Sequence, residues 1–163
     1  MGKSDSYYKD EAFRYVQEGY EKQTQGLLDE AVTLYKKSLE IFPTPEARTF
    51  LGWAYSFQGH YDEAIAECRK AIELDPEFGN PYNDIGAYLI ETGKQNEAIH
   101  WLEKALRARR YESYCFPYYN LGRIWEAKGD WAKALHNYQQ ALLENPKYAL
   151  AERSLNRVRG MMN

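Results

Sequence analysis

An all-α fold of stacked helical repeats, a solenoid, is predicted by three features of this 163-residue chain. The run Leu51-Gly52-Trp53-Ala54-Tyr55 returns as Ile85-Gly86-Ala87-Tyr88-Leu89 and as Leu121-Gly122-Arg123-Ile124-Trp125, so its glycines stand 34 and 36 residues apart. Each glycine is followed at seven by a second (Gly59, Gly93, Gly129), at twelve by Ala64, Ala98 and Ala134, and at nineteen by Ala71, Ala105 and Ala141. Between these small residues, apolar side chains recur at helical spacing. Such a period marks units that stack, because one helix pair cannot bury its apolar faces alone.

Taken in order, residues 1–9 form a polar lead-in, either free or joined to the first helix, and Phe13, Val16 and Tyr20 then predict a helix over 10–24. Gly26 breaks it, and a second helix is expected over 28–41. Gly19, Gly26, Ala31 and Pro43 keep the repeat offsets, so residues 12–44 read as a first, divergent repeat. Its Glu18 and Lys22 stand where later repeats are apolar, as suits a terminal unit with one face free. The second repeat, 45–78, opens with Thr44 as N-cap and Pro45 in the first turn. Its helices are expected at 45–58 and 61–74, closed by Asp75-Pro76. The third, 79–114, opens with Asn80 as cap and Pro81, with helices at 81–92 and 95–110. Arg110 stands in place of a closing proline, and two extra residues before Pro117 imply a longer helix or a wider turn. The fourth, 115–148, has helices at 117–128 and 131–144, ended by Asn145-Pro146. A last helix over 147–159 carries Tyr148, Leu150, Ala151, Leu155 and Val158 on one side and arginines on the other, an amphipathic cap for the stack. The whole of 1–163 reads as one domain.

Gly52, Gly86 and Gly122 are expected where two helix backbones approach, met from the second helix by Ala64, Ala98 and Ala134. Large residues such as Tyr55, Tyr61, Leu102, Trp125, Trp131 and Tyr138 fill the space between units.

This pattern resembles the tetratricopeptide repeat (TPR). The fourth unit reads Tyr118, Leu121-Gly122, Trp125, Ala134, Tyr138, Pro146. The second matches at Leu51-Gly52, Tyr55, Ala64 and Pro76, with Arg48 and Cys68 at the two aromatic positions. The resemblance implies a right-handed superhelix of helix pairs whose first helices line a concave, peptide-binding groove. Family members that bind chaperone tails use a two-carboxylate clamp, with Lys and Asn on the first helix of the first repeat. Val16 and Tyr20 occupy those positions here, so acidic chaperone tails are not expected ligands.

On that geometry, each first helix presents a second stripe to the groove: Phe13, Val16, Gln17, Tyr20; Thr49, Phe50, Trp53, Phe57; Asn83, Asp84, Ala87, Ile90; and Tyr119, Asn120, Arg123. The candidate binding residues are Tyr20, Phe50, Trp53, Phe57, Asn83, Asp84, Tyr119, Asn120 and Arg123. Aromatic clusters flanked by polar groups suit partner sites. Asn83 and Asn120 offer paired donors and acceptors to a ligand backbone, and Arg123 suits a carboxylate. The competing reading makes these aromatics core between repeats, or surface covered by the chain's own termini.

Composition excludes several classes. A net charge of −3 gives no general case for nucleic acid or an anionic membrane. Its distribution is uneven: residues 1–103 hold ten Lys/Arg against nineteen Asp/Glu, a net of −9, and residues 104–163 hold eleven against five, a net of +6. That polarity supports an alternative, a scaffold assembling head to tail. The arginines 107, 109, 110, 153, 157 and 159 read as a solvated face, without the interleaved aromatics of a nucleic-acid site. Cys68 and Cys115 are too few for a disulfide framework, so a cytoplasmic chain with free thiols is expected. Met1 to Ser6 fits the permissive myristoylation pattern, and lipidation is not expected from so loose a motif. His60, His100 and His136 have no ligand or nucleophile at useful spacing, so neither metal, cofactor nor catalysis is expected. The partner expected is a protein or peptide, or another copy of the chain.

Overall fold

The computed structural model describes residues 3–162; Met1, Gly2 and Asn163, and with them the acceptor glycine of the lipidation pattern, lie outside the described residues. Nine helices run through the described part: α1 (Lys3–Thr24), α2 (Leu28–Ile41), α3 (Pro45–Phe57), α4 (Tyr61–Leu74), α5 (Asn80–Glu91), α6 (Gln95–Ala105), α7 (Cys115–Ala127), α8 (Trp131–Glu144) and α9 (Ala149–Met162). They pair as α1–α2, α3–α4, α5–α6 and α7–α8, with α9 laid on α8. The first helices α1, α3, α5 and α7 also touch one another in succession, and no two second helices do so comparably. The stack therefore bends with the first helices on its inner, concave side. This is the all-α stack of four repeats and a capping helix that the period predicts, with the superhelical bend that the resemblance implies.

The four turns inside the repeats share one mechanism. Gly26, Gly59, Gly93 and Gly129 adopt φ between 75° and 80°, a left-handed conformation that costs glycine little. In each turn the glycine N–H bonds three residues back, as Gly93 to the Ile90 carbonyl (3.0 Å). The next N–H bonds five back, as Lys94 to Leu89 (2.8 Å). This pair of bonds satisfies the carbonyls left free at a helix end and reverses the chain.

The contact glycines act differently. A Cβ on Gly52 would lie 2.9 Å from the Ala64 carbonyl oxygen, one on Gly86 would lie 2.5 Å from Leu102, and one on Gly122 would lie 2.4 Å from Tyr138. The residue sixteen positions after Gly19, Gly52, Gly86 and Gly122 sets what fills the space: Tyr35, Cys68, Leu102 and Tyr138, all fully buried. Tyr35 and Tyr138 each donate a hydroxyl proton to the same register position, Gln23 (2.9 Å) and Glu126 (2.6 Å). Arg157 of α9 binds Glu126 through two nitrogens (2.7 and 2.9 Å), while Ala151, Leu155 and Val158 bury their side chains in the cap.

The structure corrects the sequence reading at several boundaries. The lead-in does join the first helix, which is regular from Lys3 rather than from 10, and Lys9 sits 5.0 Å over the Phe42 ring, tying it to the end of α2. Thr44 caps α3 as expected, accepting from the Ala47 N–H at 3.1 Å. Asn80 does not cap α5; it is the first helical residue, because the preceding Gly79 is already helical and holds the Arg110 carbonyl through its N–H (3.1 Å). Helix α6 ends at Ala105 rather than 110, and α7 starts two residues before Pro117. The segment 106–114 between them forms the wider turn: Arg110 donates its N–H to Glu77 (2.9 Å), pairing Phe78 with Arg110 in an isolated parallel bridge. The Arg110 guanidinium lies 4.2 Å over the Phe78 ring and reaches Asp75 (2.7 Å) and Glu46 (2.8 Å). Leu150 is exposed, outside the apolar face of α9.

Candidate functional site

On the concave side, helix α3 spaces Phe50, Trp53 and Phe57 three and four residues apart, which sets them on one face. Tyr20 of α1 joins them. The ring centroids form a continuous cluster: Tyr20 to Phe50 at 5.9 Å, Tyr20 stacked on Trp53 at 6.4 Å, Phe50 to Trp53 at 6.3 Å, and Trp53 to Phe57 at 5.5 Å. Phe50 is the anchored member, half-buried and stacked on the core ring of Tyr35 at 5.7 Å. The others face outward, with Trp53 38%, Tyr20 44% and Phe57 59% exposed.

Trp53 divides two hollows. One, of about 390 Å³, lies between Tyr20, Gln23, Leu28 and Phe57. The other, of about 440 Å³, lies between Thr49, Phe50 and Trp53 of α3, Asn83 and Asp84 of α5, and Phe78, Tyr111 and Phe116. Glu46, Phe78, Tyr111, Ser113 and Phe116 escaped the sequence reading. Their only signal was the missing closing proline and the extra length before Pro117, since it is the wider turn that carries Tyr111 into the groove.

The polar candidates form a ladder rather than a row of free groups. The Asn83 side-chain N–H₂ points at Asp84 (3.4 Å), and that of Asn120 donates to the Asn83 carbonyl oxygen (3.1 Å). Arg123 donates to the Asn120 side chain (3.3 Å) and to Glu91 (2.8 Å). Both asparagines are buried, and each spends part of its hydrogen-bonding capacity on the other. Tyr119 sits apart from the aromatic cluster, against Tyr138 (5.7 Å) and Tyr148 (5.1 Å), so the segment leading into α9 covers part of it.

Asp84 is electrostatically distinct. It is mostly buried and has no ion pair among the described residues. Burial pushes its carboxyl up to about 7, with the Asn83 amide opposing the shift. The pocket's other carboxylate, Glu46, already holds Arg110. Burial also keeps the nearby Cys68 thiol well above its ordinary range, so it stays protonated and is a poor nucleophile. The three histidines lie exposed away from the groove. Ring faces, amides and one carboxylate make a surface suited to holding a ligand. No helix among the described residues is long and apolar enough to cross a membrane.

Comparison with known proteins agrees with this architecture. Family models described as tetratricopeptide repeat match residues 14–45 and 45–78, 82–110, and 115–148. The small glutamine-rich tetratricopeptide repeat-containing protein 2 of Mycosarcoma maydis is 31% identical over 77 residues, 47% of this chain and 22% of that protein. The probable UDP-N-acetylglucosamine–peptide N-acetylglucosaminyltransferase SPINDLY of Hordeum vulgare is 29% identical over 133 residues, 76% of this chain and 14% of that one. The chain thus spans under a quarter of the length of these two relatives. A solved structure of PilF from Pseudomonas aeruginosa shares the fold, with a TM-score of 0.86 at 24% identity over 94% of this chain and 70% of that chain.

Proposed function

The chain belongs to the tetratricopeptide repeat family, and from that premise we propose that it is a non-catalytic, cytoplasmic interaction module that holds a peptide or helix of a partner protein in its concave groove. Members of this family bind protein partners. The place of binding rests on one observation: Tyr20, Phe50, Trp53 and Phe57 form an unbroken aromatic cluster on the concave side, with a hollow on each flank of Trp53. Rings grouped beside concavities favour the insertion of a partner's apolar side chains, and Trp and Tyr supply much of the binding energy in such sites. The likeness to a transferase covers 14% of that enzyme, and the inert Cys68 supplies no chemistry in its place.

Head-to-tail self-assembly is the alternative, and it rests on the charge polarity of the sequence. Much of that polarity is compensated inside the chain, where Arg109 meets Glu77, Arg110 meets Glu46 and Asp75, and Arg123 meets Glu91. Panning a random-peptide library on wild type and on Trp53→Ala tests the groove. Wild type is expected to select peptides with spaced apolar anchors, and the variant to bind them with a loss of about 2 kcal/mol, roughly thirtyfold. Equal binding by a folded Trp53→Ala would place the interaction elsewhere.

A further inference from the structure

We propose that the pocket between α3, α5 and the 106–114 segment receives a cationic side chain, lysine or arginine, from the peptide held in the groove; the inference rests on the groove reading above. Its walls are the rings of Phe50, Trp53, Phe78, Tyr111 and Phe116, and Asp84 is the carboxylate among them. Aromatic faces attract cations through their quadrupoles, most strongly where water is excluded. One wall already does so within the chain, since the Arg110 guanidinium packs on Phe78 at 4.2 Å. That same arginine neutralises Glu46, which leaves Asp84 as the acidic group of the lining without an ion pair among the described residues, charged once pH exceeds about 7.

Apolar, acidic and cationic occupants differ in what they do to Asp84. An apolar side chain would strip its water and give nothing back, an unfavourable outcome for any buried polar group. An acidic one would set like charges together. A cation restores the charge balance, and its aliphatic stem packs along the rings while the head reaches the carboxylate. The pocket's volume, about 440 Å³, admits a long side chain with backbone on either side. The sign is opposite to that of a carboxylate clamp, whose lysine position is filled here by Val16.

The test is an NMR titration of the full chain at pH ~8, where the Asp84 carboxyl is ionised, with N-acetylarginine methylamide and with N-acetylnorleucine methylamide, a neutral probe with an apolar side chain. The arginine probe is expected to shift the Trp53 indole and the amides around Asp84 and Tyr111, and the norleucine probe to bind at least about tenfold more weakly, the loss of one charge-assisted contact. Asp84→Asn keeps the shape and is expected to remove that preference. Equal binding of the two probes, an arginine preference that survives Asp84→Asn, or no shift at this pocket would each overturn the proposal. The probe comparison needs only wild type, so it decides the matter even if the variant does not fold. The peptide library separates the two claims: selected peptides without a shared basic position would overturn the cationic pocket alone, whereas failure of wild type to select any peptide would count against the groove.

Discussion

Burial lifts the Asp84 carboxyl from its ordinary 3.8 to about 7, so between those values the folded chain holds a proton that the unfolded chain has released. Folding stability must then fall as pH rises through that window, by at most about 1.4 kcal/mol per pH unit. Asp84→Asn removes this contribution. The variant is expected to match wild type in urea melts near pH ~4 and to exceed it near pH ~8. A variant less stable than wild type at the higher pH would mean that the carboxylate is well solvated or paired. Gly52 is the second residue of consequence, because its missing Cβ faces backbone that cannot swing aside. Gly52→Ala is expected to lower the melting temperature by the equivalent of about 1–3 kcal/mol, as overpacking does. The glycine's role was legible from its spacing alone. The state of Asp84 was not, since its burial is produced by neighbouring repeats and a turn far away in sequence.

At the scale of elements, the turns and the 106–114 segment respond to different physics. Gly93 has open space around its missing Cβ, so Gly93→Ala meets only the left-handed backbone, with an expected cost of about 1–2 kcal/mol in thermal melts. Gly79 is the reverse case: its φ is ordinary, yet a Cβ there would lie 2.4 Å from the Tyr111 side chain. Gly79→Ala is therefore expected to loosen 106–114 and speed tryptic cleavage after Arg107, Arg109 and Arg110. Unchanged cleavage would show that the segment is held by its side chains alone. Helix periodicity ran on through Leu106, Arg107 and Ala108 because these residues suit a helix. Tertiary pairing with residues 77–79 wins instead, and no local pattern announces it. Thr44 and its proline, by contrast, were readable as a helix start because capping is a local bond.

For the whole molecule, a repeat period is a global signal, which is why the stack of helix pairs was legible from spacing, whereas its superhelix and concave side were implied by the resemblance to the tetratricopeptide repeat. The clustering of Tyr20, Phe50, Trp53 and Phe57 was legible too, since they lie on one helix and its neighbour. The pocket wall was hidden, because Phe78 and Tyr111 meet only through the loop bridge. The internal pairing of Arg109, Arg110 and Arg123 leads us to expect a single-chain mass by light scattering at both low and high salt. A salt-sensitive oligomer would instead favour the head-to-tail reading, as screening weakens exposed ion pairs.

The bridge between Phe78 and Arg110 also bears on mechanics. A repeat array behaves as a coil spring, because each unit grips only its neighbours and small rotations add along the stack. Here two hydrogen bonds and a three-way ion pair rivet one coil to the next between the second and third repeats. Stretching or breathing of the spring is thereby pushed toward its ends. The spacing of the second and third repeats is fixed beside the pocket that holds Asp84, while the first repeat with Tyr20 has no such backbone bridge to the second among the described residues.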